Sequence, residues 1–274
     1  MTEVLRLAPI LRWAGGKQQL TSHIVRFLPK DLAGRTYREP FFGAGSIFFA
    51  LVPDKAVLSD SNEHLIHCYE AVRDNSTLVS VYLRALAKRA SERHYYATRR
   101  RYNSAAHSVS QAARFIYLNK SCFNGIFRVN KNGKFNVPYG WKKPPALPTP
   151  FELRAVAGAL GRARLFVGDF AEAMDDASTG DVLYLDPPYP PLNGIANFRH
   201  YTALRFSDAD QKRLASLCRD LDRRGCFWVM SNADIPEIRR LYRGFRIRSL
   251  PVTRFVSCKS HKLIVRELII SNCT

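Results

Sequence analysis

Short apolar runs that stop at a glycine, proline or acidic corner and then hand over to a helical stretch recur along this 274-residue chain. Residues 36–40 (TYREP) read as a strand, followed by the turn Phe41-Phe42-Gly43-Ala44-Gly45-Ser46 and an apolar helix to about Leu51, closed by Pro53. Residues 55–59 (KAVLS) read as a second strand ending at Asp60, and Asn62 can cap a helix running to about Asp74. Residues 163–167 (ARLFV) end in Gly168-Asp169-Phe170, and 181–185 (DVLYL) end in Asp186-Pro187-Pro188-Tyr189. A helix at 208–223, a strand at 226–230, a helix at 234–241 and a closing pair of strands at 245–250 and 262–270 complete the pattern. This alternation points to an α/β fold, an open and mostly parallel sheet with helices on both faces. Ahead of it, residues 17–28 read as an amphipathic helix with Leu20, Ile24, Phe27 and Leu28 on one face, stopped by Pro29.

The middle of the chain has another character. Residues 75–119 are helical in pattern and rich in Arg, Tyr and Ala; residues 120–140 read as a hairpin with turn chemistry at Lys131-Asn132-Gly133; 141–150 is a proline-rich connector. We take 62–145 as an insertion in a sheet domain made of 1–61 and 146–274. Charge marks the same stretch. The chain carries 42 Lys and Arg against 23 Asp and Glu, a net charge of +19. Residues 84–143 alone hold fourteen Lys or Arg and one acid, Glu92. Such a surface suits a polyanion, nucleic acid first and an anionic membrane second. A merely solvated face would need neither the aromatic nor the Asn side chains interleaved with these cations. No run is long and apolar enough for a membrane span, and the N-terminus lacks the pattern of a secretory signal, so a cytoplasmic protein is expected. The six cysteines form no C-x-x-C pair and read as reduced, packed thiols. His64, His67 and Cys68 lie close together, but no second group of ligands follows in the sequence, and no metal is expected.

Three motifs carry chemistry. Asp186-Pro187-Pro188-Tyr189 sits at the carboxyl end of a strand, where open α/β sheets bind ligands. An aromatic exocyclic amine is a poor nucleophile because its lone pair is delocalised into the ring. If Asp186 and the Pro187 carbonyl each accept one of its N–H groups, the nitrogen is drawn towards tetrahedral geometry. Pro188 stiffens the turn, and Tyr189 offers a face on which a base can stack. A rigid strand exit with a capping Asp explains the same four residues more plainly. The Gly43-Ala44-Gly45 turn lets a ligand approach the backbone, and Asp60 follows Gly43 by 17 residues, near the spacing of an acid that binds ribose hydroxyls. There is no third glycine for a pyrophosphate, so a nucleoside ligand fits better; close packing of helix on strand also accounts for the glycines. In Arg12-Trp13-Ala14-Gly15-Gly16-Lys17, Trp13 could touch a ligand's edge and Lys17 could pair with a carboxylate, or the segment is a helix start with a packed Trp.

In order and kind these motifs resemble those of the DNA adenine N6-methyltransferases of the Dam type, the D12 class in its α-group order, over nearly the whole chain. RWAGGK, EPFFGAGS, LSDSN, GDF, DPPY, SNAD at 231–234 and FNGIFRVNKNGKFNVPYG all have counterparts there, with Arg12 standing where Lys is usual. The resemblance implies a Rossmann-like S-adenosylmethionine-dependent methyltransferase sheet with an inserted DNA-recognition domain. It places Trp13, Lys17, Phe42, Gly43, Gly45, Ser46, Asp60 and Asp186 around S-adenosylmethionine, with Lys17 on the methionine carboxylate, Asp60 on the ribose, and Asp169 and Phe170 at the adenine. It gives the catalytic role to Asp186, Pro187 and Tyr189, and contact with double-stranded DNA to Arg12, Phe123, Asn124, Arg128 and Pro138. Arg128 would read a guanine, and Phe123 would wedge beside the displaced base. It further implies transfer to N6 of adenine within GATC, on a base turned out of the duplex, without a metal. A monomer suffices to read so short a palindrome one strand at a time. Methyltransferases acting on cytosine N4 or RNA adenine are the nearest rivals, although Asp186 at the head of the tetrad favours adenine. A non-catalytic nucleic-acid-binding protein is the other, and the intact cofactor motifs speak against it.

Overall fold

A computed structural model describes residues 7–17, 20–140, 146–190, 206–255 and 262–273. Strands β1 (Tyr37–Glu39), β2 (Ala56–Asp60), β3 (Ala163–Val167), β4 (Val182–Leu185), β5 (Phe227–Ala233), β6 (Arg246–Phe255) and β7 (Lys262–Ser271) form a seven-stranded sheet in the order β3-β2-β1-β4-β5-β7-β6. The first five are parallel neighbours, and β7 runs antiparallel between β5 and β6. The order reverses between β1 and β4, and the carboxyl ends of those two strands open onto the Gly43 and Asp186 corners.

Helices cover both faces, as expected. In β4, Val182 and Tyr184 belong to one apolar cluster and Leu183 and Leu185 to another, the period-two split of a strand buried on both sides. The first cluster takes in α1 (Thr21–Val25), α2 (Ser46–Leu51), α3 (Glu63–Ala87) and α6 (Pro150–Leu160); the second takes in α7 (Asp208–Arg223) and α8 (Pro236–Leu241). The basic stretch supplies α4 (Glu92–Tyr102) and α5 (Val109–Ser121), whose Tyr95, Phe115 and Ile116 join the first cluster together with Phe127 and Phe135. Asn62 caps α3, accepting from the Leu65 N–H at 3.2 Å, and the helix kinks at Asn75, where the sequence pattern changes. Among the described residues, no helix is long and apolar enough to cross a membrane.

Three segments differ from the sequence reading. The 17–28 helix shrinks to α1: Phe27 and Leu28 bond back to Ile24 and Val25, three residues earlier, so the last turn tightens before Pro29. Positions 18–19 lie outside the described residues, as do 1–6, the 191–205 part of the expected loop, Cys258 and 141–145 of the connector. The 120–140 hairpin forms without regular strands, through the bridges Cys122 to Tyr139 and Val129 to Phe135 and backbone bonds between its arms, such as Asn136 N–H to the Arg128 carbonyl at 3.1 Å and Gly140 N–H to the Ser121 carbonyl at 2.9 Å. Side chains of α4 and of the residue after it take further backbone groups: Asn103 both donates to and accepts from Phe135 at 2.9 Å, and Tyr95 and Arg99 both donate to the Val137 carbonyl. Helix α6 begins at Pro150, the last residue of the proline-rich connector, and runs through residues to which the sequence reading assigns no element. Its start is nonetheless written locally, with Pro150 in the first turn and Thr149 and Glu152 closing a capping box.

Strand β1 is the least apolar of the sheet and lies inside it, between β2 and β4. Arg38 is 4% exposed, and its Nε donates to Asp181 at 2.9 Å while its terminal nitrogens reach the carbonyls of Ala173 and Asp176. Asp181 in turn accepts from the Ser178 and Thr36 backbone N–H groups, so this one cation ties β1 to the start of β4. Removing one member of a buried pair leaves the other charge uncompensated. Arg38→Ala is therefore expected to lower unfolding free energy by about 3–5 kcal/mol in urea titrations; a loss below about 1 kcal/mol, the range of an exposed pair, would contradict this role.

Candidate active site

The acidic corner after β4 is gripped from two sides. Lys17 Nζ lies 2.8 Å from both carboxylate oxygens of Asp186 and 2.7 Å from the Gly15 carbonyl. Ser231 on β5 donates to Asp186 Oδ1 at 2.8 Å and is itself linked to the Tyr184 hydroxyl at 2.8 Å. Burial raises the Asp186 carboxyl above the ordinary range, and Lys17 and Ser231 oppose that shift. A fifth of its side chain remains open to solvent, so the corner is held without being sealed. The following turn is braced as well: Gln211 donates to the Pro188 carbonyl at 3.1 Å and accepts from Asn232 at 3.3 Å. Pro187 is buried, and Tyr189 donates to Glu267 of β7 at 3.0 Å with Lys17 Nζ 4.7 Å from its ring centroid.

The glycine turn meets this corner through Trp13 and Lys17. Gly43 adopts φ +49°, and a Cβ there would come within 3.0 Å of Trp13 Cδ1, so both conformation and space require glycine. Its N–H donates to Asp60 Oδ2 at 2.9 Å, and Asn62 N–H donates to the other oxygen at 2.9 Å. Burial raises the Asp60 carboxyl, and these two N–H groups counter it. Gly45 precedes α2, where Phe42 is buried in the core and Ser46 is half-buried. Phe41, from the same turn, stacks on Phe170 at 5.3 Å. Phe170 is buried and carries the Arg213 guanidinium 4.2 Å from its centroid; Asp169 pairs with the same Arg213 at 2.7 Å. The candidate cofactor residues therefore form one connected group at the carboxyl ends of β1, β2, β3 and β4.

The candidate nucleic-acid residues form a second group, Arg12 together with residues 123–138. Phe123 and Pro138 are joined by the Phe123 N–H to the Pro138 carbonyl at 3.0 Å, and both side chains are exposed. Asn124 sits at φ 55° on the exposed turn between Phe123 and Gly125. Arg128 is exposed, and its Nε donates to Asn136 at 2.8 Å. Arg12 lies against Gly125, where φ is +66° and a Cβ would come 2.6 Å from the Arg12 side chain. Asn119 locks this junction by accepting from the Arg12 N–H and donating to the Arg12 carbonyl, each at 2.8 Å. One residue on, Trp13 stacks on Phe127 of the insertion at 5.8 Å while touching Gly43 of the sheet. Residues 12–17 are thus the bridge between the two groups.

Sequence reasoning missed several participants. Ser231 and Asn232 stood in a motif without a role; Gln211 and Glu267 gave no local signal, since their partners are remote. Glu39 falls in a strand and at the head of EPFFGAGS, where the sequence assigns it no role of its own. It is 2% exposed and accepts from the Tyr37 hydroxyl at 2.7 Å and the Phe48 N–H at 3.2 Å, beneath the glycine turn. Burial is the main reason its carboxyl is raised to about 8.

A family described as D12 class N6 adenine-specific DNA methyltransferase matches residues 13–254 of the chain. The chain is 37% identical to the type II methyltransferase M.MjaIII of Methanocaldococcus jannaschii, covering 98% of this chain and all of that protein. It is 39% identical to the DNA N-6-adenine-methyltransferase of Escherichia phage P1 over 91% of this chain, which spans a third of that longer protein. It is 34% identical to the DNA adenine methylase of Escherichia coli over 90% of this chain and 88% of that protein.

Glu39 makes a pH-dependent contribution that can be measured. Folded, its carboxyl holds a proton up to about 8; unfolded, it releases the proton near the ordinary 4.5. The folded state binds more protons between those values, so this contribution is complete below the lower one and is lost as pH rises towards the upper. Glu39→Gln should flatten this decline, read as the difference in urea midpoint between the two proteins from acid to mildly alkaline pH; parallel curves would show that Glu39 titrates normally.

Proposed function

Because the chain belongs to the D12 class of N6 adenine-specific DNA methyltransferases, we propose that it methylates adenine N6 within GATC in duplex DNA, on a base turned out of the stack into the Asp186 corner. The observation that carries the reading is the open Asp186 carboxylate, held by Lys17 and Ser231 and connected to the glycine turn.

The donor set fits S-adenosylmethionine. Lys17 sets a buried ammonium beside the Asp186 corner, a cation that an anionic group such as the methionine carboxylate would pair with. Each Asp60 oxygen accepts one backbone N–H, and its second lone pair remains for a ribose hydroxyl. Trp13, Phe42, Gly43, Gly45 and Ser46 would surround the methionine moiety, and Asp169 and Phe170 the adenine. When bound, the cofactor supplies a methyl group on a cationic sulfur.

The remaining work belongs to this chain's own side chains. Asp186 and the Pro187 carbonyl each accept one N–H of the target amine, freeing its lone pair, while Tyr189 supports the ring. Asp186 does this as a carboxylate, the form that Lys17 and Ser231 favour. Preorganised acceptors of this kind act with little reorganisation at the moment of reaction. Turning the base out costs a few kcal/mol, and phosphate contacts from the basic insertion offset it. Arg12, Phe123, Asn124, Arg128 and Pro138 form the reading surface. Asn136 holds the Arg128 guanidinium by its Nε, and no described residue takes its terminal nitrogens, the arrangement a bidentate contact to guanine needs. The choice of GATC rests on the likeness of the 123–140 block to that of enzymes with this target.

An unmethylated plasmid incubated with the protein and S-adenosylmethionine should become resistant to an endonuclease that N6-methyladenine blocks at GATC. Asp186→Ala should abolish that protection with its circular dichroism unchanged; near-normal methylation would overturn the catalytic assignment. Arg128→Ala should lower discrimination against a substituted guanine in the site by about 1–3 kcal/mol, measured as the ratio of kcat/KM values on the two duplexes. An unchanged ratio would remove Arg128 from base recognition.

A further inference from the structure

The fold brings a histidine from the insertion onto the first turn of α3. Glu63 and His67 are four residues apart on that helix and share a face. His107, from the segment before α5, packs its ring 3.8 Å from that of His67 and 5.6 Å from that of His64. One ligand atom each from Glu63, His67 and His107 lie within 4.8 Å of one another, and His107 Nε2 is 3.9 Å from Glu63 Oε2. These residues belong to neither of the two groups described above. His67, His107, Cys68 and Tyr102 also line a cavity. The Nδ1 atoms of His64 and His67 are buried there without a hydrogen-bond partner among the described residues. A buried polar atom without a partner is costly.

We propose that Glu63, His67 and His107 bind a divalent transition-metal ion, zinc by preference, at a site separate from the methyl-transfer centre. Two imidazoles and a carboxylate are a donor set that zinc takes readily, with a fourth position for water. Donors around tetrahedral zinc stand roughly 3.3 Å apart at bond lengths of about 2.0–2.1 Å. The present spacing is slightly wider, and Glu63 and His107, with side chains 58% and 41% exposed, can rotate to close it. Sequence reading expects no metal because no ligand group follows His64, His67 and Cys68 nearby; His107 supplies it from 40 residues further on. The ion would tie the start of α3, just past Asp60, to the segment that leads into α5 and its Asn119 clamp on Arg12. It is a staple between the sheet and the reading surface.

The test uses the full chain after chelator treatment and dialysis, titrated with cobalt(II). One equivalent should bind with visible d–d bands and no sulfur-to-metal charge-transfer band in the near ultraviolet, and zinc should displace it. Zinc alone should raise the melting temperature. His107→Ala and Glu63→Gln alter exposed side chains, and each should weaken cobalt binding about tenfold or more and remove the zinc-dependent thermal shift. Absence of stoichiometric binding, binding unchanged in both variants, or a thiolate charge-transfer band would each overturn the proposal.

Discussion

Lys17 and Asp186 are 169 residues apart in the chain and in contact in the fold. Much of the site depends on that contact. It opposes the shift that burial imposes on the carboxylate, and it closes the N-terminal segment over the sheet. The same segment meets the glycine turn through Trp13 and the insertion through Arg12. A single ion pair therefore fixes the relation between the corner that would hold a base and the turn that would hold the methyl donor. The pair is also polarised by its surroundings, since Ser231 shares Asp186 while Lys17 faces the Tyr189 ring.

The basic stretch expected to be an insertion packs directly against the sheet. Its Phe115, Phe127 and Phe135 share an apolar cluster with Tyr37, Leu58 and Phe42. Asn119 treats the Arg12 peptide as a strand would, taking its N–H and giving to its carbonyl. Arg12, locked by Asn119, and Trp13, stacked on Phe127, thus hold the segment that carries Lys17 against this stretch. The kinked α3 serves both parts: its first half follows directly from Asp60 and meets α5, where Cys68 lies against the Ala112 carbonyl.

What was legible in the sequence was local. Strand exits, the glycine turn, Asp60 and the acidic tetrad each write their signal within a few residues, and the closing strand pair follows from its apolar runs. What stayed hidden was remote or disguised. Ser231, Gln211, Glu267 and His107 act on partners 23 to 78 residues away or on residues that meet only in three dimensions. Glu39 and Arg38 sit in a strand whose charges look misplaced until Tyr37 and Asp181 appear beside them. Helix α6 was written in a capping box, but the prolines before it read more loudly. The 120–140 hairpin was legible from its turn residues, and its arms do pair through backbone bonds; what stayed hidden is that side chains of α4 and of Asn103 take further backbone groups of it.

The central claim is that the Asp186 corner receives an adenine amine beside the glycine turn. The most direct measurement is a crystal structure of the protein with a GATC duplex and a non-reactive analogue of S-adenosylmethionine. The account requires the target adenine outside the duplex, its N6 within about 3 Å of both the Asp186 carboxylate and the Pro187 carbonyl. An adenine that stays stacked, or one whose amine points away from Asp186 with the analogue in place, would contradict it.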